Sequence, residues 1–587
     1  MAHKSIYVLG INEALCASAC LLKDGEIIAA ASEERFNRIK NCWGFPEKSI
    51  DFCLNYAGIK ARNLDLVVLS YVDPYSHFVQ GRAVERKDFG NNILKTIKNF
   101  APNLQHAIPF TRFFFYWGRN IYYTKLSKKY QRIQTKEISG YLKIPEEKII
   151  RMDHHLAHAY SAYYSNPNKT KGATLVLTND GAGDQISACV FIVRDNKFNR
   201  ISKTNYTSSL GLLYSTVTSF LGLKAHEDEY KVMGLAPYAK DLNYSNISKI
   251  FDKLMWVKEL KFESIIPSHE FGIYLEKNLR GYRFDAISAA IQSFFEDLMV
   301  KWVQNCISKT GIHNLAVAGG SFLNVKANKL ISELPEVKNV FFMPSPGDDT
   351  NSIGACYFGY KVVCKKTNLK FDPKPIYNLY LGPNFTESDI LKSIKKYKSL
   401  HITKPADINK TAAKILAKDE IVARFDERME MGARSLGNRS IIANPSSKGV
   451  VEKINKMIKM RDFWMPFAPT ILESKAATFI ENPKKLDARY MIVAFETKKD
   501  HQEDILAAIH PYDKTARPQV LNKTDNPGYF QLINEFRKIT GIGAVLNTSF
   551  NIHGEPIVCT PTDALSTLNR SGLKYLIMGK YLVKKYD

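Results

Sequence analysis

No apolar run in this chain of 587 residues approaches the roughly 18 residues that are needed to cross a bilayer. The first residues, Met1-Ala2-His3-Lys4, also lack the apolar core and the cleavage site of a secretory signal peptide. The nine cysteines are an odd number and have no metal-finger spacing. We therefore expect a cytoplasmic protein with reduced thiols and no membrane partner.

The sequence carries no RRM, KH or helix-turn-helix signature, although its formal net charge is +24. Its lysines are spread through positions that are typical of a surface, such as Lys95, Lys125 and Lys365. A generally lysine-rich surface explains this charge better than an RNA interface does, so we expect no nucleic-acid partner. The charge still permits a substrate that is rich in phosphate.

Length and composition indicate a globular protein with more than one domain. Hydrophobic residues make up 45% of the chain and charged residues 24%, and 587 residues exceed the size of one core. The segment Pro373-Lys374-Pro375 is the predicted linker between a domain at 1–365 and a domain at 376–587. Residues 75–145 are rich in aromatic and basic side chains without a strand pattern, which predicts a helical insertion.

Short strands alternate with helices and with turns that contain glycine or aspartate, a pattern that predicts α/β domains with ligand-binding loops at the carboxyl ends of strands. The first three strands form an antiparallel meander of the type that opens many actin-like nucleotide-binding folds. The predicted strands lie at 6–10, 17–22, 26–31, 174–179, 315–318 and 339–343, and in the second domain at 420–425, 491–496 and 544–546.

Three histidines fall within the five residues His154-His155-Leu156-Ala157-His158. If Asp153 caps a helix there, His154 and His158 occupy positions i and i+4 on one face, about 5–6 Å apart at Cβ. This spacing suits two nitrogen ligands of one metal ion. The alternative is that the pair belongs to a polar helix face, which is the commoner origin of such spacing.

Two aspartates complete the metal site in this interpretation. Asp180 and Asp348 each stand at the end of a predicted strand beside glycines, where the loops of one α/β layer converge. Two histidines and two carboxylates suit iron(II), manganese(II) or zinc(II) better than magnesium or calcium. The alternative is that both aspartates stabilise their own turns.

The second domain carries cationic side chains in glycine-rich contexts. Arginine binds phosphate in a bidentate manner, and glycine lets backbone N–H groups approach an anion. Each residue alone is typical of a solvated salt bridge, but together they predict a pocket for a small, multiply charged anion. The candidates are Arg434, Arg439, Lys459, Arg461, Arg517 and Asn547.

Many of the residues named so far lie in motifs that resemble those of the O-carbamoyltransferases of antibiotic and nodulation-factor biosynthesis. The resemblance runs nearly end to end, and the motifs occur in the same order, which makes it specific. The motifs are SEERF at 32–36, HHLAHA at 154–159, the aspartate-glycine turn at 178–184, KVMGLAPY at 231–238, Ala318-Gly319-Gly320 to Asn324, Gly347-Asp348-Asp349, GARSLGNRS at 432–440, PFAP at 466–469 and LNTSFN at 546–551.

The resemblance implies an N-terminal actin-like domain, related to tRNA threonylcarbamoyl transferases, and a C-terminal YrdC-like α/β domain. It also implies a reaction in two steps. Carbamoyl phosphate and ATP give carbamoyl-adenylate and pyrophosphate, and the carbamoyl group then passes to a hydroxyl of a small-molecule acceptor. The acceptor is expected to be a sugar, an antibiotic or another specialised metabolite, and AMP is released.

The resemblance also implies roles for individual residues. The metal ligands are expected to be His154, His158, Asp180 and Asp348, with iron(II) as the ion and manganese(II), zinc(II) or magnesium(II) as alternatives. A metal and arginines together would neutralise the charge that develops during transfer. The catalytic residues are expected to be His155, Arg434 and Arg517, and the residues that bind ATP or carbamoyl phosphate Gly319, Gly320, Asn324, Lys459, Arg439 and Asn547.

Two departures from the family pattern leave alternatives open. Many relatives carry a histidine and an aspartate in the first turn, where this chain has Leu15-Cys16-Ala17-Ser18, so His155 becomes the candidate general base. Relatives often have an arginine before PFAP, where this chain has Met465. An RNA-modifying threonylcarbamoyl transferase and a non-catalytic binding protein are the alternatives. Acceptor specificity is expected within 75–145 and 205–280, and a homodimer is the default assembly.

Overall fold

The computed structural model describes residues 5–73, 111–397 and 400–585, with the backbone alone described at 111–126. Three β-sheets and one β-hairpin form the framework. The strands are β1 Tyr7–Asn12, β2 Ser18–Lys23, β3 Glu26–Ser32, β4 Leu66–Leu69, β5 Ile149–Arg151, β6 Thr174–Gly183, β7 Ile186–Arg194, β8 Lys197–Asn205, β9 Met255–Lys258, β10 Lys261–Ser264, β11 Asn314–Ala318, β12 Asn339–Phe342, β13 Leu400–Thr403, β14 Val422–Phe425, β15 Arg439–Ala443, β16 Ala468–Leu472, β17 Gln519–Leu521, β18 Ala544–Ser549, β19 Tyr575–Met578 and β20 Tyr581–Lys585.

Helices pack on the faces of these sheets and connect many of the strands. The α-helices are Glu34–Asn37, Glu47–Tyr56, Thr111–Leu142, His154–Ser165, Leu210–Phe220, Glu229–Leu235, Ser245–Leu254, Phe271–Leu279, Phe284–Thr310, Val325–Glu333, Asn351–Thr367, Glu387–Ile394, Ile408–Leu416, Val450–Ile454, Ala476–Phe479, Pro527–Thr540 and Pro561–Arg570.

The first two sheets have the same strand order. The first runs β3-β2-β1-β4-β5 and the second, read from its antiparallel edge, runs β8-β7-β6-β11-β12. In both sheets, a three-stranded antiparallel meander is followed by two parallel strands. All six strands predicted in this part of the chain are confirmed, with ends that shift by a few residues. The mixed α/β class predicted from the alternating pattern is also confirmed.

The third sheet has eight strands in the order β13-β20-β19-β14-β15-β18-β16-β17. The strands predicted at 420–425 and 544–546 are confirmed as β14 and β18. The strand predicted at 491–496 is wrong, because this segment contributes only single bridges to its neighbours. Its apolar side chains are instead buried in the core that packs against the second sheet. An apolar run that is buried without forming a β-ladder has the same sequence pattern as a buried strand.

The predicted insertion is described only in part. The helix Thr111–Leu142 agrees with the helical prediction, while residues 75–110 lie outside the described residues. No helix in the described ranges combines the length and the apolar character that a membrane span requires.

Candidate metal centre and anion pocket

The structure brings together the four residues that were predicted as metal ligands. His154 Nε2 lies 3.3 Å from Asp180 Oδ2 and 3.5 Å from Asp348 Oδ1. His158 Nε2 lies 3.3 Å from Asp348 Oδ1 and 4.0 Å from Asp180 Oδ2. One nitrogen or oxygen of each residue lies within 4.8 Å of the others. Two nitrogens and two oxygens at this spacing could surround one divalent transition-metal ion.

Local sequence positions each ligand. The Asp153 carboxylate accepts a hydrogen bond from a backbone N–H in the first turn of helix His154–Ser165, so the cap is confirmed and both ligand histidines share one face. The N–H of Gly320 donates to Asp180 Oδ1 at 2.8 Å, which leaves Oδ2 to face the histidines. A Cβ on Gly183 would lie 2.1 Å from the first ligand ring, so glycine makes room for that ring.

Asp184, at the end of the same turn, was assigned no role from the sequence. Its carboxylate accepts hydrogen bonds from the backbone N–H groups of His154 at 2.8 Å, Val72 at 3.0 Å and Asp73 at 2.6 Å. It therefore ties the first ligand to the chain that leaves β4. The spacing of two aspartates around small residues in the turn is the signal that could have indicated this second, supporting role.

The four side chains form a buried group of opposite charges. Burial would lower the pKa of His154, but the carboxylates of Asp348 and Asp180 outweigh it and raise that pKa to about 9. Burial would raise the pKa of Asp180, but its hydrogen bond to His154 and the charge of His158 hold it well below its usual range. Asp348 Oδ1 accepts no well-formed hydrogen bond from the described residues, although the two histidine nitrogens lie 3.3 Å and 3.5 Å away. An ionised carboxylate beside an oxygen without such a hydrogen bond fits a bound cation.

His155 is fully buried and points both ring nitrogens at internal partners. Its Nδ1 lies 2.8 Å from Thr178 Oγ1, and its Nε2 lies 3.0 Å from the carbonyl oxygen of Ile186. Burial and the two neighbouring histidines lower the pKa of His155 to about 3, so the ring is neutral near pH 7. Both nitrogens have partners within the fold, and the catalytic role expected for this residue stays a prediction. The ring holds its helix against β6 and β7.

The loop after β11 borders the metal cluster. Gly319 donates its N–H to the carbonyl oxygen of Pro346 at 2.7 Å, and Gly320 holds the Asp180 carboxylate. The Asn324 side chain caps helix Val325–Glu333 and also bonds to the side chain of Gln292. The ATP-binding role of Gly319, Gly320 and Asn324 stays a prediction.

We use the name cationic pocket for a group of three arginines of the second half whose charges act on one another: Arg434, Arg461 and Arg517. Within the described ranges, Arg434 Nε and one terminal nitrogen of Arg517 are buried without a hydrogen-bond partner, and no carboxylate forms an ion pair with any of the three. Burial and the nearby Arg434 lower the pKa of Arg517 to about 10, and the same two causes lower the pKa of Arg461. The Asp513 carboxylate partly opposes this shift at Arg517, but like charges that form no ion pair in the described ranges suit a bound anion.

Lys459 and Asn547 lie near this pocket, and most of their polar atoms already form hydrogen bonds within the protein. Lys459 Nζ donates to Ser549 Oγ at 3.0 Å and to Asn551 Oδ1 at 2.8 Å. Burial and the charges of Arg461 and Lys40 lower the pKa of Lys459. The Asn547 amide nitrogen donates to internal oxygens, while its Oδ1 is buried without a partner among the residues described. Their anion-binding roles stay predictions.

Arg439 does not face the pocket. It is fully buried, and its guanidinium donates to the backbone carbonyl oxygens of Asp426 at 2.6 Å and Glu427 at 3.3 Å. The same group lies 3.7 Å above the Phe425 ring, its partner across the β14–β15 ladder. Arg439 is therefore held by carbonyl oxygens and an aromatic face, while its Nε is buried without a hydrogen-bond partner among the described residues, and its phosphate-binding role stays a prediction.

Gly432 joins the cationic pocket to the metal cluster. Its φ is +101°, and a Cβ there would lie 2.6 Å from Ser345 Oγ. That hydroxyl donates to Asp349, which directly follows the ligand Asp348. Arg35, from the SEERF motif, donates to the carbonyl oxygen of Gly432 at 2.7 Å. Arg434 is two residues further on, so the loop that carries this arginine contacts the loop that carries Asp348.

The two departures from the family pattern lie on either side of this junction. Cys16 has φ +54°, and burial together with the Asp349 and Glu34 carboxylates raises the pKa of its thiol, so it supplies no base near pH 7. Met465 is buried against Gly234. Arg461, four residues earlier and already among the residues predicted for the anion pocket, contributes a guanidinium to the cationic pocket.

Two family models match the chain in succession. The model described as Carbamoyltransferase N-terminus matches residues 7–357, and the model described as Carbamoyltransferase C-terminus matches residues 413–585. The first match alone spans more than half of the chain. The chain therefore belongs to the carbamoyltransferase family and is a carbamoyltransferase enzyme, as the resemblance of its motifs predicted.

Individual relatives agree with this assignment over nearly the whole chain. An uncharacterized protein of Methanocaldococcus jannaschii is 30% identical, over 96% of this chain and 96% of that protein. Nodulation protein NolNO of Sinorhizobium fredii is 28% identical, over 97% of this chain and 78% of that protein. Component A of (R)-2-hydroxyglutaryl-CoA dehydratase from Acidaminococcus fermentans matches 61% of this chain and 99% of its own at 15% identity and a TM-score of 0.32, too weak a likeness to support an argument.

Proposed function

We propose that this carbamoyltransferase is ATP-dependent and transfers a carbamoyl group to a hydroxyl of a small molecule. The observation that carries the proposal is the junction at Gly432, where the loop that leads to Arg434 contacts the loop that carries Asp348 and so links the cluster of two histidines and two aspartates to the group of arginines. Such a pair of sites suits a substrate with several negative charges and a reacting group held between them. An actin-like first part, supported by the repeated strand order, and a YrdC-like second part belong to the same proposal.

The proposed reaction has three steps. Water attacks carbamoyl phosphate and gives carbamate and inorganic phosphate. A carbamate oxygen then attacks the α-phosphorus of ATP and expels pyrophosphate, which leaves carbamoyl-adenylate. Finally the acceptor hydroxyl attacks the carbonyl carbon, loses its proton and expels AMP.

The residues of the chain have distinct tasks in this scheme. Arg434, Arg461 and Arg517 bind phosphate oxygens and neutralise the charge that develops as pyrophosphate leaves. The bound metal, held by the two histidines and two aspartates, would supply a Lewis acid next to the adenylate. Gly432 and Arg35 hold the arginine-bearing loop against the metal loop, so that the same intermediate can contact both.

The proposal is tested by following AMP, pyrophosphate and phosphate when the protein is incubated with ATP, carbamoyl phosphate and iron(II). We expect ATP-dependent pyrophosphate release in the wild type and a loss of at least about 100-fold in Arg434→Gln, because a charged group that contacts the transferring phosphate is removed. The exposed Arg280→Gln is the matched control and should behave as the wild type. Absence of ATP-dependent pyrophosphate release in the metal-loaded wild type would contradict the proposed reaction.

Transfer to RNA is the second candidate, and the charge of +24 is the observation that favours it. It would require tight tRNA binding at physiological salt with a steep salt dependence. If tRNA binds in this way and carbamoyl phosphate is not consumed, the small-molecule proposal fails.

A further inference from the structure

A hydrogen-bond network fixes the direction in which the Asn547 amide points, and we call Ser435, Thr470, Gln519 and Asn547 together the Asn547 network. The Gln519 amide nitrogen donates to the carbonyl oxygen of Leu436 at 2.8 Å, which turns Gln519 Oε1 toward Asn547. The Asn547 amide nitrogen lies 3.2 Å from this Oε1 and 3.1 Å from the carbonyl oxygen of Ser435. Because a backbone carbonyl oxygen can only accept a hydrogen bond, each of the two amides has one orientation.

This orientation leaves one acceptor atom without a donor. Thr470 Oγ1 donates to Gln519 Oε1 at 2.8 Å and accepts from the Asn547 nitrogen at 3.0 Å, so the nitrogen side of the amide is satisfied. The Asn547 side chain is buried, and its Oδ1 has no hydrogen-bond partner among the described residues. A buried acceptor without a donor is costly, and its fixed direction indicates a bound molecule that supplies the donor.

Two cationic side chains belong to residues next to the network. Arg434 directly precedes Ser435, and its Nε is buried without a partner in the described ranges. Asn547 and Ser549 lie on one face of β18, because side chains alternate along a strand. The Ser549 hydroxyl accepts from Lys459 Nζ at 3.0 Å, and Lys459 forms no ion pair with a carboxylate in the part of the chain that is described. A single acceptor thus lies among positive charges and donors.

We infer that Asn547 Oδ1 accepts a hydrogen bond from the NH2 group of carbamoyl phosphate and thereby distinguishes this substrate from acyl phosphates; this rests on the carbamoyl transfer proposed above. The lone pairs of Oδ1 repel phosphate oxygens, so this atom suits the uncharged end of the substrate, while Arg434 and Lys459 suit its phosphate end. A methyl group in place of NH2, as in acetyl phosphate, keeps the shape and removes the donor. A site that hydrogen-bonds an N–H group rejects an analogue without it, because the polar atom of the site is then left unpaired.

Two stable analogues test this contact by binding alone. Phosphonoacetamide carries the carbamoyl NH2 group, acetonylphosphonate carries a methyl group in the same place, and both have CH2 instead of the bridging oxygen. In titration calorimetry of the full-length protein, we expect phosphonoacetamide to bind at least about tenfold more tightly than acetonylphosphonate. Asn547→Ala should bring the two dissociation constants close together by weakening the binding of phosphonoacetamide alone. A merely structural effect of the substitution would weaken the binding of both analogues equally.

Thr470→Val is the matched control, because the Thr470 hydroxyl bonds to the nitrogen of Asn547 and its removal leaves Oδ1 in place. We expect this variant to keep the preference for phosphonoacetamide. The inference is overturned if the wild type binds both analogues equally, since an ordered water would then satisfy Oδ1, or if Thr470→Val loses the preference as fully as Asn547→Ala. It is also overturned if Asn547→Ala weakens ATP binding and leaves the preference unchanged, because Oδ1 would then accept from the purine amino group.

The binding test does not depend on turnover. If circular dichroism shows that Asn547→Ala does not fold, Asn547→Ser takes its place, because the shorter side chain cannot put an oxygen at the same position. A preference for phosphonoacetamide that disappears in the variant, without ATP-dependent pyrophosphate release in the wild type, would support the inference and contradict the proposed reaction. Pyrophosphate release without that preference would contradict the inference alone.

Discussion

Neighbouring histidines of one helix serve different purposes in this protein. His154 and His158 face two carboxylates, whereas His155 between them is bonded to Thr178 and to the backbone of β7. A step of one residue turns a side chain by 100° around the helix, so adjacent residues meet different surroundings. Helix geometry therefore gives His155 different surroundings from those of His154 and His158.

Replacing His158 with alanine removes one of two nitrogen ligands. We expect the affinity for iron(II) to fall by more than the roughly 10–100-fold that is typical of changes to residues behind the ligands. Metal content after dialysis and titration calorimetry would measure the loss. His269→Ala, at an exposed histidine, is the control. A His158→Ala protein that binds one iron as tightly as the wild type would contradict the ligand assignment.

The shared face of His154 and His158 and the aspartate cap were predictable because they depend on spacing within one turn of helix. The surroundings of His155 and Arg439 were not predictable, because the partners of both side chains come from elsewhere in the fold. His155 meets a strand 23 residues further along the chain. Arg439 meets the carbonyl oxygens of a loop and the ring across a β-ladder. A sequence pattern identifies a residue type that suits phosphate, but not whether carbonyl oxygens have already taken its donors.

Among the elements, two helices that carry or follow metal ligands pack unusually close together. Helix Asn351–Thr367 starts just after Asp348 and crosses helix His154–Ser165 at Gly354. A Cβ on Gly354 would lie 1.9 Å from the carbonyl oxygen of Ala157, between the two ligand histidines. The distance between the histidine pair and Asp348 thus depends on residue 354 being glycine, because a Cβ at this position would force the two helices apart.

Gly354→Ala should push these helices apart. We expect a loss of about 1–3 kcal/mol in the free energy of unfolding, as for other overpacked cores, together with weaker iron binding. Urea unfolding and metal titration would measure both effects. Gly140→Ala is the matched control, because that helical glycine has nothing near its Cβ position and should gain about 0.5–1 kcal/mol. Unchanged iron affinity in Gly354→Ala would show that the helix spacing does not set the site.

The segment around His510 links the second half of the chain to the first and is sensitive to pH. His510 is fully buried, and its Nε2 lies 2.8 Å from the carbonyl oxygen of Gly234. Burial lowers its pKa to about 4, although Asp513 opposes the shift. Between pH 6.5 and 4 the unfolded chain therefore takes up a proton that the folded protein does not. The free energy of unfolding falls as the pH falls through this window.

His510→Gln keeps an N–H donor for Gly234 and removes the titration. We expect the wild type to lose roughly 2 kcal/mol more than this variant between pH 7 and pH 5, from about 1.4 kcal/mol per pKa unit. Urea unfolding of both proteins at the two pH values, in metal-free buffer, measures the difference. Equal losses in the two proteins would contradict the assignment.

For the whole molecule, the predicted linker at 373–375 does not divide the apolar core. Phe479, Ile492 and Phe495, from beyond the linker, belong to the same buried cluster as Trp302 and Phe322 from before it. The sequence predicted two α/β parts because strand and helix periodicity are local. Which core each apolar run enters depends on tertiary packing, and the misassigned run at 491–496 is the clearest case.

The contact between the halves is also polar and specific. Helix Val325–Glu333 contacts the segment at 492–496, which comes from the second half of the chain. The Asn328 amide donates to the carbonyl oxygen of Ile492 at 2.8 Å, and Lys329 pairs with Glu496 at 2.7 Å. The same helix follows the loop that holds Asp180. The docked segment leads on to Arg517, so this contact also places a pocket arginine relative to the metal cluster.

Residues 1–375 alone should therefore fold poorly, because removing the second half exposes apolar surface that is buried in the full chain. We expect this fragment to aggregate or bind the dye ANS strongly, and to form a soluble complex when it is produced together with residues 376–587. Size-exclusion chromatography and ANS fluorescence would compare the fragment, the complex and the full chain. The full chain should unfold in urea with one transition, since its halves share a core. A monomeric fragment that unfolds cooperatively without binding ANS would show instead that the first half is an independent domain.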